Sequence, residues 1–518
     1  MISTAVNLQQ VSAISGYQVK LTLAGLQAGV NPQLIVVIGQ KSAANETSVV
    51  SKLDATTATE VGKEYGYNSP LYAAARILRP ISGNKLGSIP TWFIPVAEAA
   101  GATAKVITYS TTGTPTKTVT HYLKINGRSY GYVVAKDATA AQISQAMIDA
   151  ANNALGSTVI GTLSTDDAVF TAGWKGVSSN EINIEIDTNG NSAGLTYSEV
   201  VADGAGAAAA SDVQAALALI GDAWATLVVN CFGSESGVLN ELETFNGNPN
   251  DAIGRYEPTL FKPFISFFGD SKIKYLNESS GGAGDGFVQM IGSRSTECTN
   301  AFCPSPGSLG LGMEAAANRV FSYAPILQNT PHQDALKTGI PDPDMPYEEG
   351  ADIGDFADPV KRDLLVKAGC STVTVLGGKY KTIDFVTTYS PEDEPDTATL
   401  FRWVRDIAGC HWNYKYVSKL LKEIYQEGNT ITDDGEEELV GVDNTISPSQ
   451  WKTIMLMEYA PALISNALMV DFDHFKDSLQ VARGDSNPNR MEDAFSTKIP
   501  GVVRVSSTTN NAVFNFNN

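Results

Sequence analysis

Five aliphatic side chains stand in a row, Leu34-Ile35-Val36-Val37-Ile38, and Gly39 follows. A strand with one wet face alternates apolar and polar residues. An unbroken, strand-sized apolar run instead fits a strand buried on both faces, as in a parallel sheet covered by helices. The flanks agree. Asn31-Pro32 forms a turn before the run. Ser69-Pro70 supplies an N-cap and a first-turn proline for a helix over Leu71 to Leu78, which Pro80 stops. Trp92-Phe93-Ile94-Pro95-Val96 is the next strand. Strand, helix, strand is the signature of an α/β core.

The texture changes after Ala100. Val119, His121, Leu123 and Ile125 share one face of an alternating segment. Asn126-Gly127 follows as a two-residue hairpin signal, and Tyr130 to Val134 returns. A helix is predicted over Ala138 to Leu155 and a strand over Glu181 to Ile186. Residues 99–204 therefore read as an inserted, mostly-β domain, with Gly204 to Ala210 as its exit linker. Strand–helix alternation then resumes. Ser211 caps a helix to Ile220, Ala225 to Asn230 and Phe264 to Phe268 are strands, and Val238 to Phe245 and Gly312 to Tyr323 are helices. Another helix runs from Asp358 to Ala368, and a hairpin spans Thr372 to Val386. Beyond Pro395 one long helix is predicted over Thr397 to Tyr425. A second covers Ser449 to Arg483, broken at Pro461.

The two ends differ from the rest. Met1 to Val19 and Val505 to Asn518 carry no charged side chain, although 18% of all residues are charged. Ser, Thr, Asn and Gln mixed with Val, Ile and Phe suit an unpaired strand better than a solvated tail. Tyr17, Val19 and Leu21 alternate with polar residues near one end. Val503, Val505, Phe514 and Phe516 do so near the other. A terminal strand of the chain's own sheet is one reading; strand donation to a neighbouring chain is the sharper expectation, with main-chain hydrogen bonds supplying affinity. The fold class is thus an α/β core with an inserted mostly-β domain, a helical C-terminal region and extended N- and C-terminal β-strand arms. Its boundaries are 1–23 for the first arm, 24–98 and 205–395 for the core, 99–204 for the insertion, 396–500 for the helical domain and 501–518 for the last arm.

Charge and motifs exclude several function classes. With 36 basic against 56 acidic side chains and a net charge of −20, direct nucleic-acid binding and polybasic membrane attachment are not expected. No apolar run reaches the length of a membrane span, so no membrane insertion is expected. Met1-Ile2-Ser3-Thr4 lacks a basic, apolar leader, and five cysteines are few and odd in number. Both features predict folding in a reducing cytoplasm. Gly39-Gln40-Lys41-Ser42 follows a strand, but Gln separates Gly from Lys. Gly204-Ala205-Gly206 opens like a dinucleotide fingerprint without a strand ahead of it. Gly233 and Gly237 bracket Glu235 where a nucleophile elbow needs serine. The four histidines lie far apart, Cys298 and Cys303 have no second pair, and Asp342 to Asp352 lacks the glycine of a calcium loop. Arg483-Gly484-Asp485 reads as a helix end. The expectation is no enzyme, no cofactor and no metal.

Four ordered stretches carry a family resemblance. They are Tyr65-Gly66-Tyr67-Asn68-Ser69-Pro70-Leu71 with Trp92 to Val96; Gly292-Ser293-Arg294 with Pro304-Ser305-Pro306-Gly307 and Glu314-Ala315-Ala316-Ala317; Gly339-Ile340-Pro341-Asp342-Pro343; and Arg362 to Val373 with Val386-Thr387-Thr388-Tyr389. On these the chain resembles the tail sheath proteins of contractile bacteriophages, the branch similar to the phage Mu sheath. The resemblance implies a virion protein that stacks as hexameric rings around a tail tube and contracts to drive the tube through the host envelope. It implies an outward-facing inserted domain and arms that join neighbours as shared strands. The implied partners are the chain itself, the tail tube protein, and the baseplate and tail terminator proteins. By the same analogy the tube-facing side lies in the C-terminal helical region, where Lys452, Lys476 and Arg483 are basic. A non-contractile virion structural protein and a hydrolase are the alternative readings.

Overall fold

The computed structural model describes residues 31–46, 51–80, 86–247, 253–269, 299–302, 311–333, 363, 366, 369–375, 380–388, 402–435 and 442–502. They form a mixed α/β fold in two compact units, Pro32–Ala408 and a second built from Gly409 onward.

The first unit is organised by β1 (Ile35–Gln40), every residue of which is buried. The chain continues through β2 (Leu53–Asp54), α1 (Ala58–Tyr65), α2 (Pro70–Leu78) and β3 (Thr91–Val96). The Ser69 hydroxyl accepts from the Tyr72 N–H at 3.1 Å and Pro70 fills the first turn, so α2 starts where its capping residues place it. β3 lies parallel to β1 on one side.

The chain then makes a long excursion before returning to this sheet. Its elements are β4 (Val106–Thr112), β5 (Val119–Ile125), β6 (Arg128–Val134), α3 (Ala140–Asn152), β7 (Val159–Ser164), β8 (Asp167–Ala172), β9 (Ile184–Asp187) and β10 (Thr196–Ala202). They make one four-stranded sheet, β10-β4-β8-β7, and one three-stranded sheet, β6-β5-β9. Asn126 and Gly127 have φ of 49° and 79°, as a two-residue hairpin turn requires, and β5 pairs with β6 along its whole length. Thr139 and Gln142 form a capping box at the start of α3. His121, Leu123 and Ile125 are buried. The His121 ring is fixed by the Tyr197 hydroxyl at Nδ1 (2.8 Å) and the Asn191 carbonyl at Nε2 (2.9 Å). The excursion opens and closes at one point, an antiparallel bridge between Thr103 and Ala205. Gly204 and Ala205 therefore belong to a paired root and not to a free linker.

The remaining elements of this unit are α4 (Ala210–Ala218), β11 (Leu227–Asn230), α5 (Ser236–Asn246), β12 (Ile265–Gly269), β13 (Thr299–Phe302), α6 (Gly312–Asn329), β14 (Cys370–Val375) and β15 (Tyr380–Asp384). Ala209, not Ser211, stands at the start of α4, with no side-chain cap. The large sheet has the order β15-β14-β13-β12-β11-β1-β3-β2. It is parallel except at its two edges, where β15 and β2 run antiparallel. One face packs Val36, Ile38, Val228 and Phe268 against α4 and α5 through Val213, Leu217, Leu239 and Leu242. Helices α2 and α6 cover the other face. Each such buried aliphatic side chain contributes about 1.5–3 kcal/mol, which is why a run like Leu34 to Ile38 determines the layer order.

Glycines make the seam between excursion and core. Gly156 has φ +80°, and a Cβ there would come within 2.8 Å of the Tyr72 ring and 2.9 Å of Arg76. Gly156→Ala combines a left-handed backbone with this overlap. It is expected to destabilise the unit by about 2–4 kcal/mol, read as a lower denaturant midpoint. An unchanged midpoint would mean the seam can open without cost.

The second unit contains α7 (Trp412–Tyr425), β16 (Thr430–Ile431), β17 (Thr445–Ile446), α8 (Pro448–Ile454), α9 (Ala460–Ser465), α10 (Phe472–Ser478), β18 (Gln480–Arg483) and β19 (Met491–Ala494). Its core gathers Tyr414, Val417 and Leu421 from α7 with Trp451, Met455, Tyr459, Leu463 and Phe475. Three expectations are corrected here. The long helix does not include Arg402 and Trp403, because Trp403 bridges to Val386; a π-helical stretch Arg405–His411 leads into α7 instead. Pro461 does not break the second helix. The π turn Met455–Tyr459 precedes it and widens the helix where the proline ring must fit. The real break lies between Ser465 and Phe472, where Ala467 and Asp471 take φ of 52° and 63°. Arg483 then lies in a strand, so Gly484 begins a hairpin turn and ends no helix.

Burial, and next the charge of Lys415, push the His411 imidazole from 6.5 down to about 4. The unfolded chain then binds this proton more readily than the folded one. Stability is therefore full above the ordinary histidine value and falls as pH drops toward 4, by up to about 3 kcal/mol from this group. Urea midpoints at pH 7 and pH 5 should differ accordingly, and His411→Gln should flatten the difference.

Candidate functional sites: a closed crevice and an open hairpin

An open parallel sheet holds ligands beyond its carboxyl ends where strand order reverses. Here the chain leaves β1 for β3 on one side, while β11, β12, β13 and β14 add successively on the other. The reversal lies between β1 and β11, with Gln40 at one lip and Cys231 to Gly233 at the other. The N-terminus of α6 also comes here, since the Gly312 carbonyl sits 2.3 Å from where a Cβ on Gly269 would be.

The excursion fills this crevice. Gln40 Nε2 donates to the Lys175 carbonyl (2.8 Å), and the Ser178 hydroxyl donates to Gln40 Oε1 (3.1 Å). Buried Trp174 donates its indole N–H to the same Ser178 oxygen (3.1 Å). Glu181 accepts from the Gly312 N–H at 3.0 Å. A carboxylate of the chain thus occupies the positive end of α6, the position an anionic ligand would take. Burial, and next Glu181, push the Cys231 thiol far above its ordinary range, which favours the protonated thiol over the nucleophilic thiolate. Nor does the Gly39 to Ser42 turn form a phosphate cradle. Gly39 is a strand residue against Cys231, Lys41 Nζ donates to the Glu46 carbonyl (3.3 Å), and only a short 3-10 turn follows. Gly204 N–H donates to Asn180 Oδ1 (2.7 Å) at the root of the excursion.

A buried ion-pair node strengthens the same junction. The fully buried Glu314 carboxylate on α6 pairs with Arg76 of α2 at 3.0 Å and with Arg128 of β6 at 2.9 Å. Lys175 pairs with Glu98 at 2.7 Å. Sequence reasoning passed over Glu181 and Glu314. The one local signal for Glu314 was its place in the first turn of a helix, where it reaches back to the Leu311 N–H (3.4 Å).

Among the described residues no three His, Cys, Asp or Glu side chains are placed to hold a metal ion. No helix of the described residues is long and apolar enough to cross a membrane. Cys298, Cys303 and the acidic stretch 342–352 lie outside the described residues.

The second unit offers a different kind of site. β18 and β19 pair antiparallel as an isolated two-stranded sheet. Val481 and Met491 turn inward to the core, and Lys422 holds Asp493 at 2.6 Å. Gln480, Ala482, Glu492 and Ala494 face solvent. Among the described residues no backbone hydrogen bond leaves the outer edge of either strand. The edge of β7 contrasts with this: there the Asn152 amide bonds both the N–H (2.8 Å) and the carbonyl (2.9 Å) of Gly161. A hairpin whose outer edges meet no further strand among the described residues is a template for added strands. The alternation of Gln480 to Arg483, with Asn487-Pro488-Asn489 as a turn, could have revealed it in the sequence.

Lys452 on α8 and Lys476 on α10 are exposed, without an ion pair among the described residues. Arg483 is not a free cation: it pairs with Asp433 at 3.0 Å and donates to the Pro488 carbonyl (2.7 Å). The three stand on three separate elements. The arm residues Tyr17, Val19, Leu21, Val503, Val505, Phe514 and Phe516 lie outside the described residues.

No family model matches the sequence, and no curated protein does. Among solved structures, the chain is similar to a sheath tail protein of Desulfitobacterium hafniense, with 10% identity and a TM-score of 0.42, over 91% of this chain and 93% of that one. It is also similar to a sheath tail protein of Listeria innocua, with 8% identity and a TM-score of 0.41, over 90% and 92% of the two chains.

Proposed function

We propose that this chain is a structural subunit of a contractile phage tail sheath. It assembles as stacked hexameric rings around a tail tube, with neighbours joined by strand exchange. Contraction drives the tube through the host envelope. The observation that carries the reading is the β18–β19 hairpin, open at both edges among the described residues, in a chain whose two ends are uncharged and strand-like in sequence. Two strands with two free edges accept two more, one from each arm type, and a four-stranded sheet shared between subunits results. Such a joint stays paired while the rigid cores slide and rotate. The closed crevice speaks against the hydrolase alternative, because the chain's own Gln40–Ser178 and Glu181–Gly312 contacts fill the place where an α/β enzyme holds its ligand. The excursion, which the chain enters and leaves at one root, is the outward-facing inserted domain of this reading. Lys452 and Lys476 are its tube-facing cations. Tube, baseplate and tail terminator proteins complete the set of partners.

Negative-stain electron microscopy of the concentrated, purified chain tests this, with a tail tube protein added as nucleus in a parallel sample. Hollow tubes with a six-fold end view are expected. Discrete particles in both samples would overturn the reading.

A further inference from the structure

A cleft of about 730 Å³ opens between the α1–α2 corner of the core and the end of α3 with the start of β7. Asn45, Lys63, Tyr67, Asn68 and Asn153 line it, and no carboxylate does among the described residues. In a chain with 56 acidic side chains, a lining with one lysine and no acid favours a neutral or anionic occupant. The walls are preformed. Ala43 N–H donates to the Gly173 carbonyl and Gly173 N–H to that of Thr158, both at 2.9 Å, and Gly173 lets Asn68 approach closely. The Tyr67 ring lies on Gly62, where a Cβ would come within 2.5 Å of ring carbons. The edge contact with Tyr72, 5.1 Å between centroids at 78°, holds it from the side. The Asn68 and Asn153 amides and the Lys63 ammonium make no hydrogen bond among the described residues, whereas neighbouring Asn152 is engaged by Gly161.

A fixed aromatic ring, unengaged planar amides and one cation suit a sugar. The C–H face of a pyranose stacks on the ring, vicinal hydroxyls bond the amides, and a carboxylate pairs with the ammonium. The geometry points to an oligosaccharide containing hexuronate as the ligand of this cleft. The site does not depend on the assembly reading. Full-length protein is titrated with trigalacturonate by calorimetry and saturation-transfer NMR, with cellotriose as the uncharged comparison. Saturation should appear on ring protons of the acidic sugar. Lys63→Met should weaken it about tenfold and leave cellotriose unchanged. Asn153→Ala removes an exposed, unpartnered side chain, so folding is spared, and it should weaken both sugars about fivefold. No saturation transfer to either sugar, or equal affinities in the wild type and both variants, overturns the site. Equal binding of the two sugars overturns the hexuronate assignment. Tubes in the microscope beside a negative titration would sink this inference alone.

Discussion

If the full-length chain forms the tubes proposed above, a chain ending at Val502 should fold normally and stay monomeric at the same concentration. The deletion removes Val503, Val505, Phe514 and Phe516 and touches none of the buried core around Trp451 and Tyr459. About six interstrand hydrogen bonds at about 1 kcal/mol each are lost, together with two phenylalanines worth about 2–3 kcal/mol each on burial. The sum is on the order of 10 kcal/mol per joint, more than a millionfold in association. Sedimentation velocity reads the loss of polymer and thermal unfolding reads the retained fold. The acceptor side has its own variant: Arg483→Pro removes an N–H that the register turns to the outer edge of β18, leaves the Ala482 pairing with β19 in place, and should reduce assembly with residues 503–518 present. Tubes formed by the truncated chain would reject strand exchange through this arm.

The largest effect on stability should come from Glu314→Gln. The carboxylate has no exposure, while the side chains of Arg76 and Arg128 are 15% and 17% exposed. Removing the shared anion leaves two guanidiniums close together at a largely desolvated site. Breaking a buried pair costs about 3–5 kcal/mol, so the urea midpoint of the first unit should drop markedly. Arg128→Met in the Glu314→Gln background should cost far less than either change alone, because one of the two facing cations is gone. A loss below about 1 kcal/mol in the single variant would mean that water reaches the node and screens it.

Much of this architecture is written locally. Leu34 to Ile38 is legible because burial on both faces leaves no polar position in the strand. The Ser69-Pro70 start and the Asn126-Gly127 turn are legible because one or two residues decide them. The helix limits in the second unit were not. Pro461 signals a break in any local rule, and a widened turn one step earlier absorbs it. The bridge of Trp403 to Val386 takes Arg402 and Trp403 out of a helix that their local pattern would allow. The closed crevice was hidden for another reason. Glu181 meets Gly312 across 131 positions of sequence, and Arg76 meets Glu314 across 238. No window of neighbouring residues contains such a choice of partner. The open hairpin lay within reach of pattern reading and was obscured by assigning one helix from Ser449 to Arg483.

The shared root at Thr103 and Ala205 has a practical consequence for anyone wishing to attach cargo to this chain. Entry and exit lie side by side, which invites exchange of the whole excursion for a foreign module. The exchange would strip Gln40, Gly312 and Glu314 of their counterparts and leave Tyr72 and Asn68 facing the wrong surface. Cargo is better carried at the exposed Asn189-Gly190 turn, where φ values of 51° and 70° mark a tip whose contacts are local, such as the Asn189 N–H to Asp187. A graft there keeps every contact of the root, and the molecule becomes a scaffold whose surface can be rewritten without reopening its interior.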